Sequence, residues 1–358
     1  MNAVDVNELE AFCVAALVKV GVIEQSAEIT AKVLVTTDTF GTHSHGTYHL
    51  ANYVKKIRAG GMEPKARPIV ISEGLGWAMI DGQSSIAMAT SCMAMEMAIQ
   101  KAQSTGIGFV GVKNSNHFGA AGYYANMAAK NNLIGIAMSS GNPNMTAPGA
   151  RGSVVGNNPF AYAAPWESGR SIFMDIATSA VASSKVMTSK SLGKQIPNTW
   201  IVDEEGVPTT DISKYPNDCS LQPMAAHKGY GLAVMIEILA AALTGAAITD
   251  EIESWLLNLL HPTRMGHSFI AIDVATISPL AQFHERMDHM VRGIHEAPKA
   301  KGHNRIFLPG EIEWDKREKT LKEGLYLPEE VLESLLALAE AEGLEFLKIF
   351  VSQPNRIS

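Results

Sequence analysis

Apolar residues recur along this chain with two periods, and the alternation between them sets out an α/β architecture. Residues 5–20 and 25–40 carry helical spacing. In the second stretch Ile29, Val33, Leu34 and Thr37 share a face, Ser26 stands as N-cap and Gly41 closes it. A third helix is predicted over 47–59, stopping at Gly60 and Gly61. Two strands follow, 68-PIVISEG and 76-GWAMIDG, then an Ala- and Met-rich helix over 85–104. Next come a strand at 107-IGFVGV, a helix near 120–131 and a strand at 133-LIGIAMSS. Further strands are 159-PFAYAAP and 172-IFMDIAT, and 198-NTWIVDEEGVPTT crosses a turn at Glu205 and Gly206. The most strongly apolar helix is 229-GYGLAVMIEILAAALTGA. The strand 268-SFIAIDV and an amphipathic helix, 327-LPEEVLESLLALAEAEG with Pro in its first turn, complete the pattern. No internal repeat is visible. The expected organisation is an α/β core over 76–248, with a helical lobe made where the two ends, 1–75 and 249–358, pack together.

Composition narrows the class without changing this picture. Of 358 residues 46% are apolar and 18% charged, which excludes disordered and collagen-like chains. A net charge of −7 without a basic run argues against nucleic acid as a partner. Cys13, Cys92 and Cys219 are widely separated, so neither a disulfide framework nor a cysteine zinc site is expected, and a reducing cytoplasm is the default location. No apolar run reaches the length of a membrane span, and MNAVDVNELEAF lacks a signal-peptide pattern.

Candidate chemistry sits where strands and helices meet. In 43-HSHGTYHLANYV three histidines, His43, His45 and His49, fall within seven residues. His43 and His45 share a side if the chain is extended, and His45 and His49 if it is helical, so all three cannot converge in either geometry. The cluster follows a helix, and no HExxH or HxxEH accompanies it, so no metal site is expected. In 114-NSNHFGAAGYY, His117 lies between an apolar strand and a helix. There it could move a hydroxyl proton near neutral pH, or simply cap the helix. Asp175, after the strand 173-FMDIATSAVA, could bind a ribose hydroxyl, orient a histidine, donate a proton or cap a helix. In 227-HKGYGLAVMIEIL a lysine and glycines open the long helix, a ready place for phosphate or a plain helix start. The turn at Asn157, Asn158 and Pro159 could line a pocket. Gly106, Gly108 and Gly111 spell GxGxxG, but they follow a helix and run into a strand, the reverse of a dinucleotide fingerprint.

Taken in order, GTHSHGTYHLANYV, VKNSNHFGAAGYYA, GNNPFAYAAP, FMDIATS, HKGYGLAVMIEILAAALTG, MGHSFIAIDV and FLPGE resemble the malate/L-lactate dehydrogenase family of NAD(P)-dependent oxidoreductases. That family includes ureidoglycolate, sulfolactate and diketogulonate dehydrogenases and piperideine-2-carboxylate reductases. The resemblance spans about residues 5 to 345, and IPNTWIVDEEGVPTTD is especially similar to the ureidoglycolate branch. It implies a non-Rossmann, sulfolactate-dehydrogenase-like fold with a mixed or antiparallel central sheet, usually as a homodimer. It implies His117 as general base, Ser44 and His45 as an active-site pair and Asp175 as a candidate acid. It also implies Gly141, Asp175, Ile176, Ala177, His227 and Lys228 as cofactor-binding positions. His49, Tyr53 and Arg151 are the candidate substrate-binding residues. One departure stands out: many members read SHGxxR, with the arginine on the substrate carboxylate, and His49 occupies that place here. Histidine offers a weaker, pH-dependent cation. The carboxylate is then held elsewhere, by Arg151 or Lys113, or the substrate is atypical.

The implied function is hydride transfer between NAD(P), NAD being preferred, and C2 of a small 2-hydroxy or 2-oxo acid such as malate, lactate or ureidoglycolate. Alternatives are a cyclic imine reductase on the same scaffold, a zinc hydrolase built on His43 and His45, and a small-molecule binder that has lost catalysis.

Overall fold

The computed structural model describes residues 3–166, 169–346 and 349–350. Helix α1 (Val6–Lys19) starts at Asp5, whose carboxylate accepts the N–H groups of Asn7 and Glu8 at 2.8 and 3.1 Å. Helix α2 (Glu24–Thr39) begins two residues before the expected cap. Ile23 precedes it without a side-chain cap, and Ser26 lies inside the first turn with its carbonyl accepting Thr30 Oγ1. Two 3₁₀ turns, His43–His45 and Thr47–His49, lead into α3 (Leu50–Ala59), which Gly60 ends at φ +89°.

The centre is a seven-stranded sheet. Its strands are β1 (Ile69–Glu73), β2 (Trp77–Asp81), β3 (Ile107–Ser115), β4 (Leu133–Ser139), β5 (Phe160–Pro165), β6 (Ser171–Ile176) and β10 (Met265–Asp273). They lie in the order β1-β2-β3-β10-β4-β5-β6. Only the β2–β3 pair is parallel, so the sheet is mixed and largely antiparallel, as the resemblance implied. Helices α4 (Ala87–Thr105) and α5 (Ala121–Ala129) cover one face. The other face carries α7 (His227–Glu237) and the π turn Ile238–Ala242, into which the long apolar helix passes. Alternation along β10 serves both layers: Phe269 and Ala271 join the core under α4 and α5, while Ile270 packs with Ile236 and Ala240.

The GxGxxG glycines belong to this packing. A Cβ on Gly108 would lie 2.1 Å from the Ala98 carbonyl of α4, and one on Gly111 2.8 Å from Met79 and Thr244. They let helices approach a strand and open no helix of their own.

Beside the sheet, α6 (Ser183–Ser191) and the short strands β7 (Ile201–Val202), β8 (Pro208–Thr209) and β9 (Ser220–Leu221) build a small unit around Met145, Val155, Val186, Ile201 and Leu221. The C-terminal segment adds α8 (Val274–Ile277), α9 (Leu280–Glu296), α10 (Glu311–Glu323) and α11 (Glu329–Glu342). Leu335 and Leu338 of α11 join Leu9, Leu17 and Leu50 in one buried cluster. The same end segments also supply strands: β1 forms one edge of the sheet, and β10 lies at its middle between β3 and β4.

Candidate active site

The histidine stretch is shaped by a carboxylate. Asp38, fully buried in the last turn of α2, accepts Thr47 N at 2.9 Å and Thr47 Oγ1 at 2.6 Å, and pairs with His43 Nδ1 at 2.9 Å. A Cβ on Gly46 would fall 2.2 Å from Asp38 Oδ1, so only glycine lets the chain wrap this group. His43 is thereby committed to the turn. His45 has Nδ1 against Ser44 Oγ at 2.9 Å, and its ring faces inward. His43 and His45 therefore part company. Among the described residues no group of three His, Cys, Asp or Glu side chains is arranged to hold a metal ion.

His117 arrives from the end of β3, and its neighbours hold it in place. Ser115 Oγ meets His267 Nε2 at 2.8 Å, and Ser139 Oγ meets His267 Nδ1 at the same distance. The Phe118 ring stacks on His267 with centroids 4.6 Å apart. Asn116 donates to the carbonyls of Ser84 and Ser85 and accepts Thr263 Oγ1 at 2.9 Å. Residues on both sides of His117 are thus bonded and buried, which presets its ring for use.

Three imidazoles meet here. Ring centroids lie 5.8 Å apart for His45 and His117, 5.6 Å for His49 and His117, and 6.3 Å for His45 and His49. Tyr53 Oη and His117 Nδ1 are hydrogen-bonded at 2.7 Å, and Asn52 Nδ2 donates to His49 Nδ1 at 3.1 Å. Trp255 closes the group, parallel to His117 at 4.2 Å and edge-on to His49 at 4.8 Å. Burial pushes His45 below the usual imidazole range and His49 down to about 3, with His45 adding to the second shift. Burial first, then the neighbouring His49, His45 and His267, take His117 well below that range. All three are neutral at pH 7. His45 and His117 each have Nδ1 engaged and Nε2 open to a reacting group, whereas His49 is bonded both to Asn52 and to the Ser44 backbone.

The expected cofactor positions form a second, connected group. Asp175 Oδ2 accepts Gly122 N at 2.7 Å, tying the end of β6 to the start of α5, five residues beyond His117. The protein walls behind Asp175 push its carboxyl up to about 6, with the Gly122 N–H opposing. The outer side of the carboxyl is exposed to solvent. Beyond Ile176 and Ala177, Thr178 O accepts Met224 N at 2.9 Å, and Thr178 N donates to Asn157 O. A Cβ on Gly229 would lie 2.5 Å from Thr178 O, so the first turn of α7 is pressed against this strand end. Gly141 N donates to Asn158 Oδ1, and Asn158 Nδ2 donates to Glu237 of α7. Gly141, the Asp175–Ala177 strand end and His227–Lys228 are therefore linked through Asn157, Asn158 and Thr178. One expectation changes: the N–H groups of Lys228 and Gly229 are used by the carbonyls of Ala225 and Met224. An anion here would meet the exposed His227 and Lys228 side chains and the helix dipole rather than open amides.

Arg151 stands apart, mostly exposed and ion-paired with Glu205 at 3.0 Å. The sequence reading missed Trp255 and His267. Trp255 lies in 249–264, where Ile252, Trp255, Leu256, Leu259 and Leu260 carry helical spacing, a signal of packing that says nothing of which side chain the indole meets. His267 sits in the strand motif MGHSFIAIDV, where nothing local announces its two serine partners.

A largely antiparallel α/β sheet with this histidine group and a separate strand-end and helix-start cluster defines an oxidoreductase of non-Rossmann type. The pattern describing the malate/L-lactate dehydrogenase family matches residues 4–336, and the chain belongs to that family. It is 36% identical over 354 residues to a malate dehydrogenase of Pyrococcus horikoshii, covering 95% of this chain and 96% of that one. It is 31% identical over 321 residues to the ureidoglycolate dehydrogenase (NAD(+)) of Escherichia coli K12, covering 90% and 91%. The solved sulfolactate dehydrogenase of Methanocaldococcus jannaschii superposes with a TM-score of 0.89 at 31% identity, covering 98% of this chain and all of that one (100%).

Proposed function

We propose that this dehydrogenase interconverts a small 2-hydroxy acid and its 2-oxo acid, with NAD or NADP as hydride carrier and NAD preferred. The observation that carries the reading is His117: half-buried, neutral, fixed at Nδ1 by Tyr53 and open at Nε2. In the oxidative direction Nε2 takes the hydroxyl proton of the substrate. Tyr53, itself held protonated by burial, exchanges a hydrogen bond with Nδ1 and keeps the ring oriented as charge develops. Ser44 and His45 face the same space and hold the substrate oxygen or its neighbour. Asp175, with its raised carboxyl, is the candidate proton donor in the imine-reducing variant.

The strand-end and helix-start cluster fits a dinucleotide on its own features. It offers a partly exposed carboxylate at Asp175, small residues at Gly141 and Ala177, and a solvent-facing Lys228. When bound, the nicotinamide supplies or accepts the hydride; Lys228 and His227 would meet phosphate and Asp175 a polar group nearby. NAD is named for the ureidoglycolate relative.

His49 bears on the substrate. Neutral, edge-on to both His117 and Trp255 and already bonded to Asn52 and the Ser44 backbone, it offers a carboxylate no permanent charge. We infer an atypical acid for that reason, with Arg151 reaching the site only if its loop moves. The enzyme is proposed as a cytoplasmic homodimer. Support comes from the exposed apolar Met235, Ile238, Leu243, Leu256, Leu257 and Leu260 and from three buried free cysteines. Among the described residues no helix is long and apolar enough to cross a membrane.

The test is a fluorescence titration with NADH and NADPH, followed by turnover of pyruvate, oxaloacetate, ureidoglycolate and piperideine-2-carboxylate. Binding of neither cofactor at millimolar concentration would overturn the reading. Turnover confined to the cyclic imine would select the reductase variant.

A further inference from the structure

The loop over 249–264, between the π turn and β10, is anchored at three points, one on α7 and two beside the histidine group. At its start Thr249 N donates to Glu237 Oε1 at 2.8 Å. Near its end Glu253 N bonds Thr263 O, while Thr263 Oγ1 reaches Asn116, the residue before His117. In the middle Lys56 Nζ donates to the carbonyls of Asn258 and His261, both at 2.9 Å. Lys56 has no accessible surface, although lysine is among the residues least often buried completely. A Cβ on Gly61 would lie 2.3 Å from Leu259 O, so the end of α3 is keyed to the same loop by shape as well.

What these anchors hold in place is Trp255. Its indole lies parallel to the His117 ring, 10° from coplanar with centroids 4.2 Å apart, and it also stacks on Tyr53 at 5.5 Å. Rings at that spacing leave no room for a ligand between them. A substrate must approach His117 at its Nε2 edge, with Trp255 standing as the wall beside it. No bond holds the indole itself; its position follows from the backbone that Lys56 and Thr263 tie down.

We propose that Trp255 determines substrate specificity by limiting the bulk carried at C3 of the acid, and that Lys56 is the residue that positions it. The proposal rests on the 2-hydroxy-acid reading above. Removal of the indole opens space over the face of His117, and release of the Lys56 anchor lets the wall drift from the same place. Lys56 acts through Trp255 and touches neither substrate nor cofactor.

The test compares pyruvate, 2-oxobutyrate, 2-oxoisovalerate and phenylpyruvate on the full chain with NADH and NADPH. The variants are Trp255→Ala, Trp255→Phe and Lys56→Met. Trp255→Ala is expected to raise the kcat/KM ratio of phenylpyruvate to pyruvate by about tenfold or more, the scale on which hydrophobic pockets discriminate size. The gain is expected mainly in KM for the large acid. Trp255→Phe keeps a ring against His117 and holds the ratio near wild type. Lys56→Met moves it in the same direction as Trp255→Ala, by a smaller factor. If Lys56→Met does not fold, hydrogen exchange at amides 256–261 in Lys56→Gln decides the positioning half: faster exchange supports it and unchanged protection overturns it. An active wild type whose ratio does not respond to Trp255→Ala overturns the specificity claim alone. A wild type that turns over oxaloacetate or ureidoglycolate but nothing in this panel overturns the specificity claim alone, and one inert toward all of them overturns the 2-hydroxy-acid reading with it.

Discussion

The two halves of the candidate site are built on opposite electrostatic plans. Around His117 the side chains are neutral, largely enclosed and interlocked: each histidine has at least one nitrogen engaged, and among the described residues no arginine or lysine shifts the three rings. Around the start of α7 the groups are wet and charged: His227 and Lys228 face solvent, and Asp175 shows one flank to it. The contrast follows from the tasks. A group that must take a proton at neutral pH works best uncharged and fixed. A group that must attract a diffusing polyanion works best charged and exposed, where long-range attraction can act. The first half is expected to respond to changes in kcat and stability, the second to changes in cofactor affinity and salt.

That division can be broken in several ways. The largest effect is expected from His117→Ala: kcat falls by roughly 10²–10⁴, while NADH affinity stays within about a factor of three of wild type. Steady-state kinetics and a fluorescence titration check it, and unchanged turnover would refute His117 as the base. The next largest is His49→Arg, which places a permanent charge in the enclosed half. Apo stability is expected to drop by on the order of 3 kcal/mol in urea melts, because an unpaired charge is buried. Turnover should shift toward dicarboxylates such as oxaloacetate, whose second carboxylate supplies the missing partner. A variant as stable as wild type would mean that the half is wetter than its packing implies.

Acid comes third. His49 and His267 titrate near 6.5 in the unfolded chain but are held at about 3 in the fold. Their contribution is complete above pH 6.5 and is lost as pH falls from 6.5 toward 3, because only the unfolded state takes up the protons. The slope is about 1.4 kcal/mol per pH unit for each group. Asp175, raised to about 6, works with the opposite sign between pH 6 and 3.8, and its solvent-facing flank keeps that offset small. Thermal melts between pH 7 and 5 should therefore show a loss that starts before ordinary carboxylates titrate. A flat profile above pH 5 would break the picture of a neutral cluster. The smallest effect belongs to the wet half: Lys228→Ala should weaken NADH binding about tenfold and flatten its salt dependence, with kcat at saturating cofactor little changed.

Much of this was legible because it is local. Gly60 stops α3 where the sequence placed the helix end, and the predicted strands over 133–140, 159–165, 172–178 and 268–274 became β4, β5, β6 and β10. The ordered motifs led to the right family and to the residues that the fold gathers: Ser44, His45, His49, Tyr53 and His117 in one group, Gly141, Asp175, Ile176, Ala177, His227 and Lys228 in the other. The GxGxxG decoy could be set aside on order alone, since a phosphate loop must open a helix. Ser26 was a reasonable cap that the structure did not use, because packing of α2 against α1 starts the helix earlier and tertiary contact outweighs a capping preference.

The sequence by itself determined the alternation of elements, the turn forced by glycine at the histidine stretch, and which side chains could carry a proton or attract a phosphate. Only the tertiary structure decided the charges and the neighbours. Asp38, buried eight residues upstream of Gly46, claims His43 and leaves His45 free, and three imidazoles become neutral because burial strips their water. Lys56 meets the carbonyls of Asn258 and His261, some 200 residues on, and with them sets Trp255 against His117. Desolvation and contact across such separations depend on where the whole chain runs, and no local pattern of residues encodes them.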